Sequence, residues 1–435
     1  MSDPSVHSHA SIVTLINYET GDVMPVGISG ILQVGDLILS ASHHRAINPK
    51  FLEADGSVVS QADYPELFGE LGLPVYAPST LMDSPAQLPP GATVGAAISD
   101  DGTYFAISAG APPYITIYKN TDGVYVKLSN PAALPPGAAS TKGTSMSGDG
   151  VYLTVGTGAP GYVTNYQRTG DEFVKLPAPA TPPPAAAAAT AYSADGAYMA
   201  VTFGAPPYVR IYNNVAGTFT ALDTPAITPP GASSGVTFDG TGTYMAVLYG
   251  PPPYISLYKR TGTDGTFVKL AQPSAIPTGA PSGASFTNDG EYLAVSHPAF
   301  PYLTLYKRDG DTFNQIHNPA EMPTAGPAGV SLTADGKFMS VIYGGVPFIN
   351  FYRRTGDTFV KEQNLLSPPS GAATTFALSR DGSHVGLANA PPPYMASYSA
   401  VPPFDIETHF MLPRPTSLNS SASPLGVTTY IKAKP

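Results

Sequence analysis

The chain repeats one phrase seven times, and the metre of that repeat limits the fold more than any other feature. The ruler is the glycine of a short turn, at Gly102, Gly150, Gly196, Gly242, Gly290, Gly336 and Gly382, giving steps of 48, 46, 46, 48, 46 and 46 residues. Twelve residues after each glycine stands an aromatic: Tyr114, Tyr162, Tyr208, Tyr254, Tyr302, Phe348 and Tyr394. Four further on the residue is always tyrosine: Tyr118, Tyr166, Tyr212, Tyr258, Tyr306, Tyr352 and Tyr398. Two offsets held constant over seven units require seven copies of one supersecondary unit.

One unit reads as four short strands. "TVGAAIS" (Thr93 to Ser99) is strand A, the Asp-Gly of "DDG" turns the chain, and "TYFAIS" is strand B. "AGAPP" is a loop, because proline has no N–H for a central ladder. "YITIYK" is strand C, "NTDG" a second hairpin turn, "VYVKL" strand D, and "NPAALPPG" crosses to the next unit. Four strands per period of about 45 residues make the blade of a β-propeller, and seven units predict seven blades. Helical solenoids of similar period are excluded by the proline and β-branched content. The crossing phrase also occurs before the first unit, as "DSPAQLPPG" (Asp83 to Gly91), while the last unit lacks one. Residues about 76–88 are therefore expected to supply strand D of the last blade and close the ring.

Composition removes whole classes of function. The 435 residues are 43% hydrophobic and 12% charged, with 48 prolines that alternate with β-branched and aromatic runs, so they read as turns rather than disorder. The net charge of -10 argues against a nucleic-acid or anionic-membrane partner. No cysteine means no disulfide and no thiol nucleophile. No apolar run is long enough to insert in a bilayer, and residues 1–10 do not read as a signal peptide, so synthesis in a cytoplasm is expected.

The blade phrase "S-x-D-G-x-Y-x-A-V" resembles that of TolB-like and other WD40-like propellers across residues 92–400, without their Trp-Asp ending. A different resemblance brackets the repeat. "KFLEADG", the "S-x-x-x-Y-P-x-L-F" run from Ser60 to Phe68, "THFMLPRP" and the ending "TTYIKAKP" are similar to the tail-collar-type domain of bacteriophage tail proteins. The fold class expected is therefore mainly β: a seven-bladed propeller (73–400) inserted in a small α+β collar-like base (35–72 plus 401–435), after an N-terminal arm or strands (1–34). Within the base, Gly35 to Ala41 reads as a strand, and Ser60 as the N-cap of a helix with Tyr64, Leu67, Phe68 and Leu71 on its apolar face. The resemblance implies a virion tail protein assembled in the host cytoplasm, homo-oligomeric on the virion. Its implied partners are other tail proteins and a host surface glycan or receptor. A glycan-degrading enzyme and a plain structural spacer are the rival classes.

The candidate chemistry is sparse. The repeated aspartates sit at hairpin turns, where Asp is a turn former, and no Ser/His/Asp order, acid pair or phosphate loop stands out, so no catalytic residue and no cofactor is assigned. His7, His9, His43 and His44 are histidine pairs of the kind that bind metal in some phage fibre trimers, and here they read as arm and loop residues, leaving no metal site. Blade topology places the "APPY" and "LPPG" loops on one face of the ring. The other face holds the Asp-Gly turns and most charge: Lys119, Arg168, Lys259, Arg260, Lys307, Arg308, Arg353 and Arg354 among Asp171, Asp309, Asp311 and Asp357. Stiff proline loops lower the ordering cost of binding, and aromatic rings stack on sugars or pack on proteins. The binding candidates are thus Tyr114, Tyr208, Tyr254, Tyr302 and Tyr394, with His297, Phe300, Tyr343 and Val346, where the repeats depart from one another. The second tyrosine of each pair is expected to pack blade on blade, its hydroxyl on a backbone group.

Overall fold

The structure, a computed structural model, describes residues 37–40, 51–53, 58–60, 62–64, 80–262, 265–362, 364–365, 367–389, 392–399, 409–411 and 428–432. It divides into two units, Met1–Tyr76 with Pro402–Pro435 and Ala77–Val401. The larger is a seven-bladed β-propeller. In the first blade, Thr93–Ile98, Tyr104–Ala109, Ile115–Thr121 and Val124–Lys127 pair antiparallel in sequence order, strands A to D. Blades two to six repeat the plan. In the seventh, Ala373–Leu378, His384–Asn389 and Met395–Ser399 are joined by Thr80–Leu81, with Tyr398 opposite Leu81 and Ser399 opposite Thr80. That outer strand is two residues long where the first blade has four.

Each A strand touches the A strand of the next blade, and Ala373–Leu378 touches Thr93–Ile98, so seven inner strands enclose the axis. A second ring closes through the backbone. Asp100 N–H donates to Gly148 O at 2.8 Å, and Gly148, Ala194, Gly240, Asn288 and Ala334 pass the pattern to Arg380; Asp381 N–H then returns to Asp100 O at 3.0 Å. Apart from Asp381, the aspartate of its own turn, these residues are the "x" of each S-x-D-G turn.

The turn chemistry explains the repeated phrase. Ser99 Oγ donates to Asp101 Oδ1 at 2.6 Å and accepts from Tyr104 N–H at 2.9 Å, while Asp101 also accepts from Thr103 N–H. The aspartate thus mimics the missing backbone partners of a tight turn. Blade four exchanges the roles: Asp239 takes the serine position and accepts from Tyr244 N–H and from the Thr241 hydroxyl.

The second tyrosines lie wholly inside, at 0% exposure in all seven blades. Tyr118, Tyr166, Tyr212, Tyr258, Tyr306 and Tyr398 donate to the carbonyls of Gln87, Ala133, Thr181, Ile227, Ala275 and Ser367 at 2.8–3.1 Å. Each hydroxyl pins the crossing loop that leads into its own blade, and the ring fills the gap between blades. In one such gap Tyr104, Ile115 and Ile117 of blade one meet Leu153, Tyr166 and Phe173 of blade two. Burying rings of this size supplies the main cohesion of the ring, since each withdraws roughly 150–250 Å² from water.

In the smaller unit, Leu37–Ser40 and Phe51–Glu53 flank Thr428–Lys432, and Val58–Ser60 pairs with His409–Met411. Segments from either side of the propeller sequence therefore share sheets. Ser60 closes a strand and does not cap a helix; Ala62 and Asp63 form a turn, and Leu67, Phe68 and Leu71 lie outside the described residues. So do His7, His9, His43 and His44. Among the described residues there is no helix, and none long and apolar enough to cross a membrane.

Candidate binding face

The B–C loops and the D–A crossings of all blades open on the same side of the ring. In every B–C loop the first aromatic adopts a left-handed backbone, with φ of 66° at Tyr114, 58° at Tyr162, 70° at Tyr208, 72° at Tyr254 and Tyr302, 70° at Phe348 and 67° at Tyr394. Bulky L-residues rarely sit there, because Cβ crowds the following carbonyl. Two hydrogen bonds hold the conformation. Tyr254 N–H donates to Pro251 O at 2.9 Å, and its carbonyl accepts from Tyr249 N–H at 3.0 Å; the equivalents recur around the ring. The rings are half-exposed, and the hydroxyls of the six tyrosines meet no hydrogen-bond partner among the described residues. The result is a circle of fixed aromatics whose phenolic groups meet no partner among the described residues. Phe300 (74% exposed), Val346 (70%), Leu88, Leu134, Ile227 and Ile276 add apolar surface on the same side.

Not every predicted site residue faces out. Phe300 and Val346 do, and Tyr114, Tyr208, Tyr254, Tyr302 and Tyr394 are half out. His297 and Tyr343 are at 0% and 1% exposure, so neither offers surface for a ligand. Tyr343 is the last residue of its strand B and His297 directly follows Ser296, the last of its own, in a column buried in every blade through Ala109, Thr157, Phe203, Tyr249 and Asn389. His297 Nδ1 lies 2.8 Å from Ala299 O, so Nδ1 carries the proton, and Nε2 accepts from the Thr304 hydroxyl at 2.9 Å. Burial lowers the pKa of this imidazole, favouring the neutral form, in which Nε2 is the acceptor. Thr278, which reaches His297 Nδ1 at 3.3 Å, also donates to Phe300 O at 3.2 Å. His297 therefore shapes the loop that holds Phe300 out, as a positioning residue. Tyr343 donates to Asn350 Oδ1 at 2.9 Å and fills the same column one blade on.

On the opposite face the charges are spent on one another. Asp311 accepts from Tyr244 at 2.8 Å and from Lys259 at 2.7 Å, while Arg308 stacks over the Tyr244 ring, its guanidinium carbon 4.6 Å from the centroid. Tyr104 with Asp171, Lys119 and Arg168, and Tyr292 with Asp357, Lys307 and Arg354, repeat the unit. Each such unit bridges two blades, and its lysine and tyrosine hold the aspartate below the ordinary carboxylate range.

The floor of the axis at this face is filled. Arg380 donates from a terminal nitrogen to Asn288 Oδ1 of blade five at 3.1 Å and lies 3.9 Å from Asp100 of blade one. A side chain at Gly240 would meet Asn288 Oδ1 at 1.6 Å, so small residues in this ring make room for the plug. Burial pushes the Asp100 carboxyl up to about 6 against the pull of Arg380. The sequence hints at this floor only in the variable "x" of S-x-D-G, which is large and polar in three blades.

A cavity of about 520 Å³ is lined by Gln315, Ile316, His317, Asn318, Asp357 and Thr358, but Asp357 is engaged by Lys307 and Tyr292. Among the described residues no three His, Asp or Glu side chains converge as metal ligands would.

No family model and no curated protein matches the chain. Solved structures do share its fold. Hydrazine synthase of Kuenenia stuttgartiensis is similar with a TM-score of 0.55 at 14% identity, over 72% of this chain and 96% of that one. A protein from Lactobacillus plantarum is similar with a TM-score of 0.51 at 16% identity, over 64% of this chain and 86% of that one. Identities this low speak to the propeller alone.

Proposed function

We propose that the chain is a recognition protein of a bacteriophage tail, in which the split base docks to the virion and the proline face of the propeller binds a host-surface glycan or receptor. The circle of half-exposed aromatics, fixed by backbone hydrogen bonds and carrying free hydroxyls, is the observation that supports binding at this face. A rigid aromatic presents stacking area with little ordering cost on association, and each free hydroxyl is a donor and acceptor for a polar ligand. The virion assignment rests on the collar-like sequence around the ring and on the segments of the base that pair across the propeller insertion. Catalysis has less support, since the carboxylates of the charged face are engaged in bridging blades.

The test uses the full-length protein on host cells and on a glycan array. Binding is expected for the native chain, with a loss of about tenfold or more in a Phe300→Ala, Tyr302→Ala double variant whose melting is unchanged. An anchor aromatic is worth about 2 kcal/mol or more at a binding surface. Absence of binding to cells and array, or failure of antibodies to label the tail in electron micrographs, would overturn the reading. Release of saccharide from host polysaccharide would replace it with the depolymerase.

A further inference from the structure

One outer strand breaks the pattern of the others. The residue paired with the second tyrosine is a lysine in four blades, Lys127, Lys175, Lys269 and Lys361, and a glutamine in blade five, Gln315. One position earlier those four blades carry Val126, Val174, Val268 and Val360, and blade five carries Asn314. Two residues after Gln315 stands His317, where the other described copies have Asp83, Ser129, Pro177, Asp223 and Ala271. The strand itself, Thr312–Ile316, is the longest outer strand among the described residues, at five residues. Ser274 N–H donates to Phe313 O at 3.1 Å and Gln315 N–H donates to Ser274 Oγ at 2.9 Å, so the crossing loop into blade five braces it. Beside it lies the cavity of about 520 Å³, within the span of roughly 300–1,000 Å³ that holds small ligands. Its walls come from two blades. Gln315 and His317 of blade five are exposed, and Asn318 is half-buried with its Oδ1 enclosed and without a hydrogen-bond partner. A buried acceptor left unmet is costly, and turning that amide toward a donating ligand breaks no bond to Oδ1. From blade six, Thr358 Oγ1 donates to Thr355 O at 2.8 Å and keeps its lone pairs for an incoming donor. Asp357 is held by Lys307 and Tyr292, yet half of its side chain stays exposed.

We infer that this cavity between blades five and six is a second binding site, and that it takes a neutral saccharide. Two carboxamides, an imidazole, a hydroxyl and a carboxylate line one space, and sugar hydroxyls, each donor and acceptor at once, can meet such groups in pairs. Ile316 supplies the apolar contact for a pyranose ring. Charge argues for a neutral ligand: the one carboxylate in the lining is already answered by Lys307, so the site favours neither a cation nor an anion. The lysine that four other blades carry at the Gln315 position would bring a positive charge and a longer chain to this wall. No residue of the B–C loops lines the cavity, so the site is separate from the proline face and goes beyond the reading of that face.

The experiment uses the full-length protein with isotopically labelled histidine, the His317 ring signal being assigned by its loss in His317→Gln. The methyl glycosides of glucose, galactose and mannose, then lactose, then glucuronate, are titrated in turn. The expected result is a saturable shift of the His317 signal with at least one neutral sugar, and a weaker response to glucuronate. In Gln315→Lys, with melting unchanged, the affinity should fall by about tenfold, since one hydrogen bond is lost and a cation enters. In the Phe300→Ala, Tyr302→Ala double variant of the proline face the His317 response should stay as it is. Absence of a shift with all the neutral sugars, or a response to glucuronate as strong as to any of them, overturns the site. So does a response that survives Gln315→Lys undiminished. A response that disappears with the proline-face double variant overturns it as well, because the signal would then report binding at that face.

Discussion

Each blade contributes two aromatics four residues apart, and the two circles they form obey different physics. The inner-facing circle, Tyr118 to Tyr398, is at 0% exposure, has ordinary backbone angles and, in six of seven blades, donates to a crossing-loop carbonyl. The loop circle, Tyr114 to Tyr394, is half-exposed and left-handed in backbone, and its six tyrosine hydroxyls meet no partner among the described residues. Both are invariant or nearly so across the repeats, so repetition alone does not separate scaffold from surface. What separates them is where the hydroxyl goes. In one circle it satisfies the fold, and in the other it is left for something outside.

The largest expected effect breaks the first circle. Tyr258→Ala should cost about 3–5 kcal/mol, because it empties a close-packed site between blades and leaves the Ile227 carbonyl without its donor. Tyr258→Phe keeps the ring and loses only the hydrogen bond, for about 1 kcal/mol. Denaturant melts of both variants test the split. Equal losses would mean that the hydroxyl, and not the ring, carries the site.

A smaller effect concerns the seam between blades seven and one, where the ring closes on a two-residue outer strand. Two groups there titrate with opposite sign. The Asp100 carboxyl has a folded pKa of about 6, raised by burial, so it adds stability that is fully present below its ordinary carboxylate range and is lost as pH rises through about 6. His384, bonded to Asn120 and to Ser383, has its pKa lowered by burial. Its contribution is present above the ordinary histidine value and is lost as pH falls through its folded pKa. Asp100→Asn removes the first dependence. Relative to the native chain it should gain on the order of 1–2 kcal/mol at pH 7.5 compared with pH 4.5, solvent contact screening the rest. Thermal melts across that range check the slope, and parallel curves for the two proteins would show that Asp100 is not held uncharged by the fold.

Much of this architecture was legible because the repeat carries its own internal alignment. The four strands of a blade and the second tyrosine's hydroxyl on a backbone carbonyl were readable from Asp-Gly turns, proline loops and the fixed offsets. His297 and Tyr343 mislead because departure from a repeat does not by itself mean exposure. Their column runs Ala109, Thr157, Phe203, Tyr249, His297, Tyr343 and Asn389, and it varies because each blade fills the same buried space with a different shape, Tyr249, His297 and Tyr343 also finding a hydrogen-bond partner inside. Phe300 and Val346 depart for the other reason: at their position proline is replaced on an open loop and both side chains stay exposed, the Phe300 ring meeting that of Tyr302 edge-on. The blade-bridging units were hidden too, since Lys259 meets Asp311 across 52 residues, and only the closed ring brings them together. Arg380 stood in plain view in the x column, which, lined up from the turn glycine, is large and polar only at Asp100, Asn288 and Arg380.

The smallest effect sharpens the comparison most. At Tyr254 the backbone angle of 72° penalises any residue with a Cβ by about 1–2 kcal/mol, and glycine escapes that penalty. Tyr254→Ala keeps the penalty and loses the ring's contacts, whereas Tyr254→Gly loses the contacts and relieves the backbone. The glycine variant should therefore match or exceed the alanine variant in stability, by roughly 1 kcal/mol, although glycine is the poorer residue beside a strand. At Tyr258, four residues on and in regular strand geometry, the order should reverse, with alanine the more stable. Paired melts of the four variants read both orders directly. Alanine ahead of glycine at both positions would mean that the loop circle is held by packing of its rings, as the inner circle is. Glycine ahead at 254 alone would mean that the fold carries an aromatic there against its own backbone preference, which is the cost a residue retained for an outside partner leaves behind.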